Sequence, residues 1–269
     1  QLFIGAEGTL GVVTKVILRL VEAPKSRVSA LVAVDQYPQV VQLLKFLEKN
    51  LSGSLTGFEL MWQNTYTTMT QTLTQQQPPL PQNYPYYIFV ECLGSEAQKD
   101  YQRLETLIGE AMENGMITDA ALMNSDRDLN FLWLLREDVA VLASQGKFDQ
   151  HFDISLPIPK IGVLISEIQN NLEALPFVSH AFAFGHVADG NIHFIVGKND
   201  DSEASRKAIN QIVYAPLKAN NGSVSAEHGI GLHKKDYLYT SRSETEIEVM
   251  KALKNLFDPK YILNPGRIF

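Results

Sequence analysis

Three imidazoles and two carboxylates gather on two glycine-marked stretches of this chain. The first reads Gly185-His186-Val187-Ala188-Asp189-Gly190-Asn191-Ile192-His193, and the second reads Ala226-Glu227-His228-Gly229-Ile230-Gly231. Imidazole nitrogen combined with carboxylate oxygen suits zinc or a similar divalent transition metal, and three protein ligands leave a position open for a substrate. His186, His193 and Glu227 are the candidate ligands. Taken alone, two histidines flanking a turn are ordinary solvated or hydrogen-bonded imidazoles, and an acidic residue like Glu227 suits the first turn of a helix. The two clusters together favour a site, because glycines beside Glu227-His228 let backbone approach a ligand closely.

These groups need elements to hold them. Ala181–Phe184 and Ile192–Val196 have the apolar content of strands, and Ala188-Asp189-Gly190-Asn191 is turn chemistry, with Asp189 and Asn191 shaping the hairpin. Along the chain, strand-like and helix-like periods alternate. Strands are predicted at 28–34, 55–61, 86–93, 117–123, 151–156, 178–184, 192–196 and, weakly, 223–225. Helices are predicted at 37–50, 96–114, 126–145, 160–173, 203–220 and 244–256, with stripes such as Tyr101, Leu104, Leu107, Ile108 and Ala111 burying one face. The order repeats a split βαβ unit, over about 23–124 and 150–226, with a C-terminal helix and tail at 243–269. Such units build an α+β fold: an antiparallel sheet with helices on one face.

At 269 residues, 45% hydrophobic and 20% charged, the chain can bury a substantial core. A net charge of -7 gives no basic footprint for nucleic acid or anionic membrane. The lone Cys92, in an apolar run, cannot form an internal disulfide or hold an iron–sulfur cluster and fits a buried strand in a reducing compartment. No apolar run is long enough for a transmembrane helix and no leader is readable, so the expected location is cytoplasmic, with peripheral attachment to an inner membrane compatible. The Pro/Gln-rich stretch Gln75–Pro85 reads as a surface loop, or as a proline-motif ligand for a partner.

Gly-His-x-x-Asp-Gly-Asn-x-His at 185–193, Glu-His-Gly-Ile-Gly at 227–231 and Asn264-Pro265-Gly266-Arg267-Ile268 together resemble the FAD-linked 2-hydroxy-acid oxidases and dehydrogenases. D-2-hydroxyglutarate and D-lactate dehydrogenases and the flavin subunit of glycolate oxidase are the nearest in look, within the vanillyl-alcohol-oxidase type of flavoprotein. The resemblance covers essentially the whole chain. It implies a duplicated ferredoxin-like cap domain over 23–269, with residues 1–22 the last strand of an FAD-binding domain whose phosphate loops lie outside this sequence. On that reading Gly5, Glu7, Gly8, Thr9 and Gly11 lie against the flavin; without it, they are a glycine-rich lead into a strand at 12–20. The chain alone is expected to bind FAD weakly or not at all, and to be inactive.

The resemblance also implies roles. Arg136 binds the substrate carboxylate, which suits a planar fork of donors, whereas without the resemblance a salt bridge at the end of an apolar helix face serves equally. His151, in the matching run His151-Phe152-Asp153, is a second substrate contact. Here the chain departs from the D-2-hydroxyglutarate enzymes: Ala140 and His151 stand where those show Thr and Lys, which opens a smaller or different 2-hydroxy acid. The implied chemistry is metal chelation of the α-hydroxy acid, His228 as general base or else as an orienting partner of Glu227, and hydride transfer to flavin N5. The electron acceptor is not readable, and a homodimer is compatible. Two other readings stay open: a metal-independent flavin alcohol oxidase, and a non-enzymatic metal-binding or interaction subunit.

Overall fold

The computed structural model describes residues 1–73 and 77–269. Its centre is a seven-stranded, fully antiparallel sheet: β1 (Ser26–Val34), β2 (Leu55–Trp62), β3 (Tyr86–Gly94), β4 (Asp119–Leu122), β5 (Phe148–Ser155), β6 (Val178–His186) and β7 (Asn191–Lys198), in the order β4-β1-β3-β2-β6-β7-β5. The order is a duplication written in hydrogen bonds. β4-β1-β3-β2 is one split βαβ unit; β6-β7-β5 mirrors it, and the bridge between Ser155 and Ser223 occupies the place of an eighth strand beside β5. The two units meet where β2 pairs with β6.

The central strands are apolar on both faces because both faces are covered. α1 (Tyr37–Leu51), α3 (Ala97–Glu113), α6 (Ile161–Glu173) and α7 (Glu203–Ala219) pack on one face against residues such as Ala30, Val32, Ile88, Val90, Ile192 and Phe194. That is the helical layer expected from the pattern, but the expectation of helices on one face alone is corrected, because the other face is apolar too and is covered. The alternate residues Leu31, Ala33, Tyr87, Phe89, Phe182, Phe184 and Ile195 face a smaller second layer, made by α2 (Gln63–Thr72), α4 (Asp126–Glu137) and α5 (Val139–Ala143). α8 (Glu244–Phe257) starts on a Ser243/Glu246 capping box, and buried Lys254 near its end binds Thr9 O, Asp258 and Leu263 O.

Several sequence expectations are corrected. α2 was not anticipated: its threonines disfavour a helix locally, but burial of Thr65, Tyr66, Met69 and Thr70 stabilises it, with the Thr70 hydroxyl bonded back to Tyr66 O. The single helix at 126–145 divides at Asp138, whose backbone (φ -79°, ψ 62°) leaves the helical region. Residues 12–20 form no strand, because they have no strand to pair with among the described residues; Val12, Val16, Ile17, Leu18 and Leu20 are exposed. In the Pro/Gln stretch, Gln75 and Gln76 lie outside the described residues, while Leu80 is buried and its backbone is held by the Tyr66 hydroxyl. Among the described residues no helix is long and apolar enough to cross a membrane.

Candidate active site

Sheet register assembles the candidate site. The β2–β6 pairing sets Glu59 opposite His186, and the β5–β7 pairing sets Asp153 opposite His193. All four project toward the second helical layer, since each alternates with residues of the other face. Between β6 and β7 a short 3-10 turn, Val187–Asp189, closes on Gly190 in the left-handed region (φ 72°), where an added Cβ would meet Leu156 O at 2.5 Å. The Asx turn anticipated at Asn191 is absent. Its amide is buried, with neither polar atom partnered among the described residues, because the 3-10 turn already supplies the reversal.

Asp153 shapes the opposite wall. It is fully buried and accepts hydrogen bonds from the backbone N–H of Ala226 (3.0 Å), Glu227 (3.0 Å) and His228 (2.9 Å), and from the Ser225 hydroxyl (2.8 Å), with Lys234 Nζ at 3.3 Å. Burial alone would raise its pKa. The His228 and Glu227 amides, Lys234 and Ser225 outweigh that and hold it down to about 2. One aspartate thereby folds the 225–228 loop and presents Glu227 and His228 to the histidines on the sheet.

The three candidate ligands are brought together: donor atoms of His186, His193 and Glu227 all lie within 4.8 Å of one another. His186 Nε2 is 3.7 Å from Glu227 Oε1, and His193 Nε2 is 3.9 Å from Glu227 Oε2. A tetrahedral centre with zinc–ligand bonds of roughly 2.0–2.1 Å needs donors about 3.4 Å apart, so the set fits with a small contraction. A second grouping, Asp153, His193 and His228, fits less well, since Asp153 already accepts several hydrogen bonds. Protonation differs between the two imidazoles of the first set. Burial, then the charge of Arg136, pushes the His193 imidazole down to about 4, so it is neutral with a free lone pair. His186 is raised by its hydrogen bond to Glu59. Its proton belongs on Nδ1, donated to Glu59 Oε1 at 2.5 Å, because Nε2 faces the N–H of Arg136 Nη2 at 3.0 Å.

Arg136, near the end of α4, is buried and anchored by its Nε to Glu59 Oε2 at 2.6 Å, with its guanidinium 5.1 Å from the centre of the Phe184 ring. Both sequence readings of Arg136 thus meet in one side chain: it forms a salt bridge, and it lines the same pocket of about 200 Å³ as His186, His193, Glu227 and His228. The His228 ring stacks on His193 with centroids 5.3 Å apart. His151 also borders the pocket, exposed and with Nε2 in contact with Asp149.

The glycine-rich start of the chain reaches the site indirectly. Glu7 accepts the backbone N–H of Ile230 (2.6 Å) and Gly231 (2.8 Å), and the Thr9 hydroxyl donates to Ala6 O at 2.6 Å, so both side chains are engaged within the chain. Gly229 has φ 81°, and a Cβ there would strike Glu7 Oε1 at 2.7 Å. Gly5 and Gly8 adopt positive φ, and Gly11 packs beside Phe3. The 5–11 turn is therefore fastened to the loop that carries Glu227 and His228.

Glu59 was missed by sequence reasoning. Its carboxylate is 3% exposed and binds both Arg136 and His186; burial pushes its pKa up, but the His186 hydrogen bond and the Arg136 charge bring it below the ordinary value. The available signal was one acid inside the apolar run Phe58-Glu59-Leu60-Met61.

Comparison with known proteins agrees with this architecture. A candidate D-lactate dehydrogenase of mitochondria from Schizosaccharomyces pombe is 35% identical, covering 98% of this chain and 52% of the relative. The mitochondrial D-2-hydroxyglutarate dehydrogenase of Rattus norvegicus is 33% identical over 98% of this chain and 49% of its own length. The chain spans about half the length of these curated relatives. An alkyldihydroxyacetonephosphate synthase structure shares the fold at a TM-score of 0.61 and 13% identity, covering 97% of this chain and 48% of that one. Residues 23–268 match the family described as FAD linked oxidases, C-terminal domain, and the chain belongs to that family.

Proposed function

We propose that this chain provides the substrate- and metal-binding side of a flavin-dependent active site that oxidises a D-2-hydroxy acid to the 2-oxo acid. The observation that carries the reading is convergence: in one pocket, the Arg136 guanidinium stands beside the His186–His193–Glu227 donor set. A carboxylate with an adjacent hydroxyl needs that pair of partners, a fork of N–H donors and a chelating centre. The relatives named as D-lactate and D-2-hydroxyglutarate dehydrogenases act, by those names, on acids of this kind.

Arg136 holds the α-carboxylate with the N–H groups that Glu59 and His186 leave over. His186, His193 and Glu227 would hold a divalent metal, zinc first among the candidates. A bound metal would supply Lewis-acid lowering of the substrate hydroxyl pKa, and a bound flavin would supply the hydride acceptor, N5. His228, stacked on His193 at the pocket wall, takes the hydroxyl proton as general base. Gly5, Gly8 and Gly11 let backbone lie against the flavin, with Glu7 and Thr9 keeping that turn in register with the 227–231 loop.

Elemental mass spectrometry of the purified chain tests the metal set. Near-stoichiometric divalent metal is expected, with loss in both His193→Ala and Glu227→Ala. Wild-type chain that stays metal-free after incubation with zinc and manganese overturns it.

A further inference from the structure

The pocket is chemically lopsided. Its charged and imidazole groups, His151 apart, are those assigned above to the carboxylate and hydroxyl of the substrate; among the described residues lining it, Arg136 is the one Arg or Lys. Hydrocarbon makes up much of the remaining wall: Val139 at the start of α5, Phe184 on β6 and Ile195 on β7, the last two 3% and 1% exposed. The polar side chain left over is His151, on β5 directly opposite Ile195, and its Nε2 is already taken by the Asp149 carboxylate. A second carboxylate on the substrate would meet apolar wall, an occupied imidazole and a neighbouring negative charge.

Resting on the 2-hydroxy-acid reading, we propose that the substrate is a monocarboxylic 2-hydroxy acid with an apolar side chain of a few carbons, lodged against Val139, Phe184 and Ile195, and that dicarboxylic acids are disfavoured. Burying an unpaired carboxylate is costly, whereas each methylene removed from water favours binding by about fourfold.

The test uses the complete flavin- and metal-loaded protein, comparing kcat/KM for D-2-hydroxybutanoate and D-2-hydroxy-4-methylpentanoate with that for D-2-hydroxyglutarate. Isothermal titration calorimetry with the matching 2-oxo acids reads binding without turnover. The apolar monocarboxylates are expected to exceed the dicarboxylate at least tenfold in both measurements. Val139→Lys, which adds a cation to a partly exposed wall position, is expected to narrow the gap by about tenfold. A wild-type preference for the dicarboxylate overturns the inference and leaves 2-hydroxy-acid oxidation standing; failure to oxidise or bind any of these acids overturns both.

Discussion

Two buried carboxylates on the same face of the sheet invite comparison, because α4 crosses both. Glu91 on β3 receives Trp133 Nε1 at 2.8 Å and Arg27 Nε at 2.5 Å; Glu59 on β2 receives Arg136, three residues further along α4, and His186. Each pairs an acid with a guanidinium, yet the surroundings differ. Arg27 is 41% exposed, and both donors converge on one oxygen of Glu91, which braces β1, β3 and α4. At Glu59 the cation is buried, its Nη2 also reaches His186 Nε2 at 3.0 Å, and both partners line a pocket. A buried ion pair alone therefore says little about function. What distinguishes Glu59 is that its partners border a cavity shared with three more imidazoles and a loop carboxylate.

The comparison can be broken by experiment. The largest effect is expected from Arg136→Lys, which removes the fork from a buried site: kcat/KM of the complete protein should fall by 100-fold or more, while Arg27→Lys should change it less than twofold. Equal effects in the two variants would erase the distinction. Next, Glu59→Gln should weaken metal affinity by about 10- to 100-fold, read by competition with a chromophoric chelator, because it loosens the orientation of His186. Glu91→Gln should instead cost about 1–3 kcal/mol of stability in denaturant unfolding and leave metal content unchanged.

The loop anchor predicts an acid-sensitive contribution. Asp153 has a folded pKa of about 2, below the ordinary value of 3.8. Its proton is therefore held more weakly in the folded state, so the stabilisation is present above pH ~4, is on the order of 2 kcal/mol there, and is lost as pH falls toward 2. Urea unfolding of wild type and Asp153→Asn should differ by about that amount at neutral pH and converge at low pH; a gap that is constant with pH refutes the charge-based anchor. The smallest effect is expected at Glu7→Gln, where one neutral acceptor remains: a loss of roughly 0.5–1 kcal/mol, visible as faster amide exchange at Ile230 and Gly231 rather than as global unfolding.

What could be read from the sequence follows the range of the interactions. The hairpin histidines and the Glu-His-Gly-Ile-Gly loop were legible because glycines and titratable groups lie within a few residues of each other. Seven of the predicted strands and all six predicted helices appear at or near their places, because the helices present one periodic apolar face and the strands are short apolar runs. α2 was invisible because tertiary burial, rather than local propensity, makes it helical, and the break at Asp138 carries no glycine or proline to mark it.

The amino-acid order determined which groups are available for chemistry, since imidazole, carboxylate and guanidinium are properties of residues, and it determined the repeated split βαβ pattern, since periodicity is local. Tertiary structure decided how those groups combine. Glu59 and His186 lie 127 positions apart and meet because β2 pairs with β6 in one register, where a slip of one residue would turn Glu59 to the opposite face. Asp153 organises Glu227 and His228 from more than 70 residues away, and Glu7 reaches Ile230 across 223. No local pattern encodes such pairings, because they depend on the free energy of the whole sheet closing.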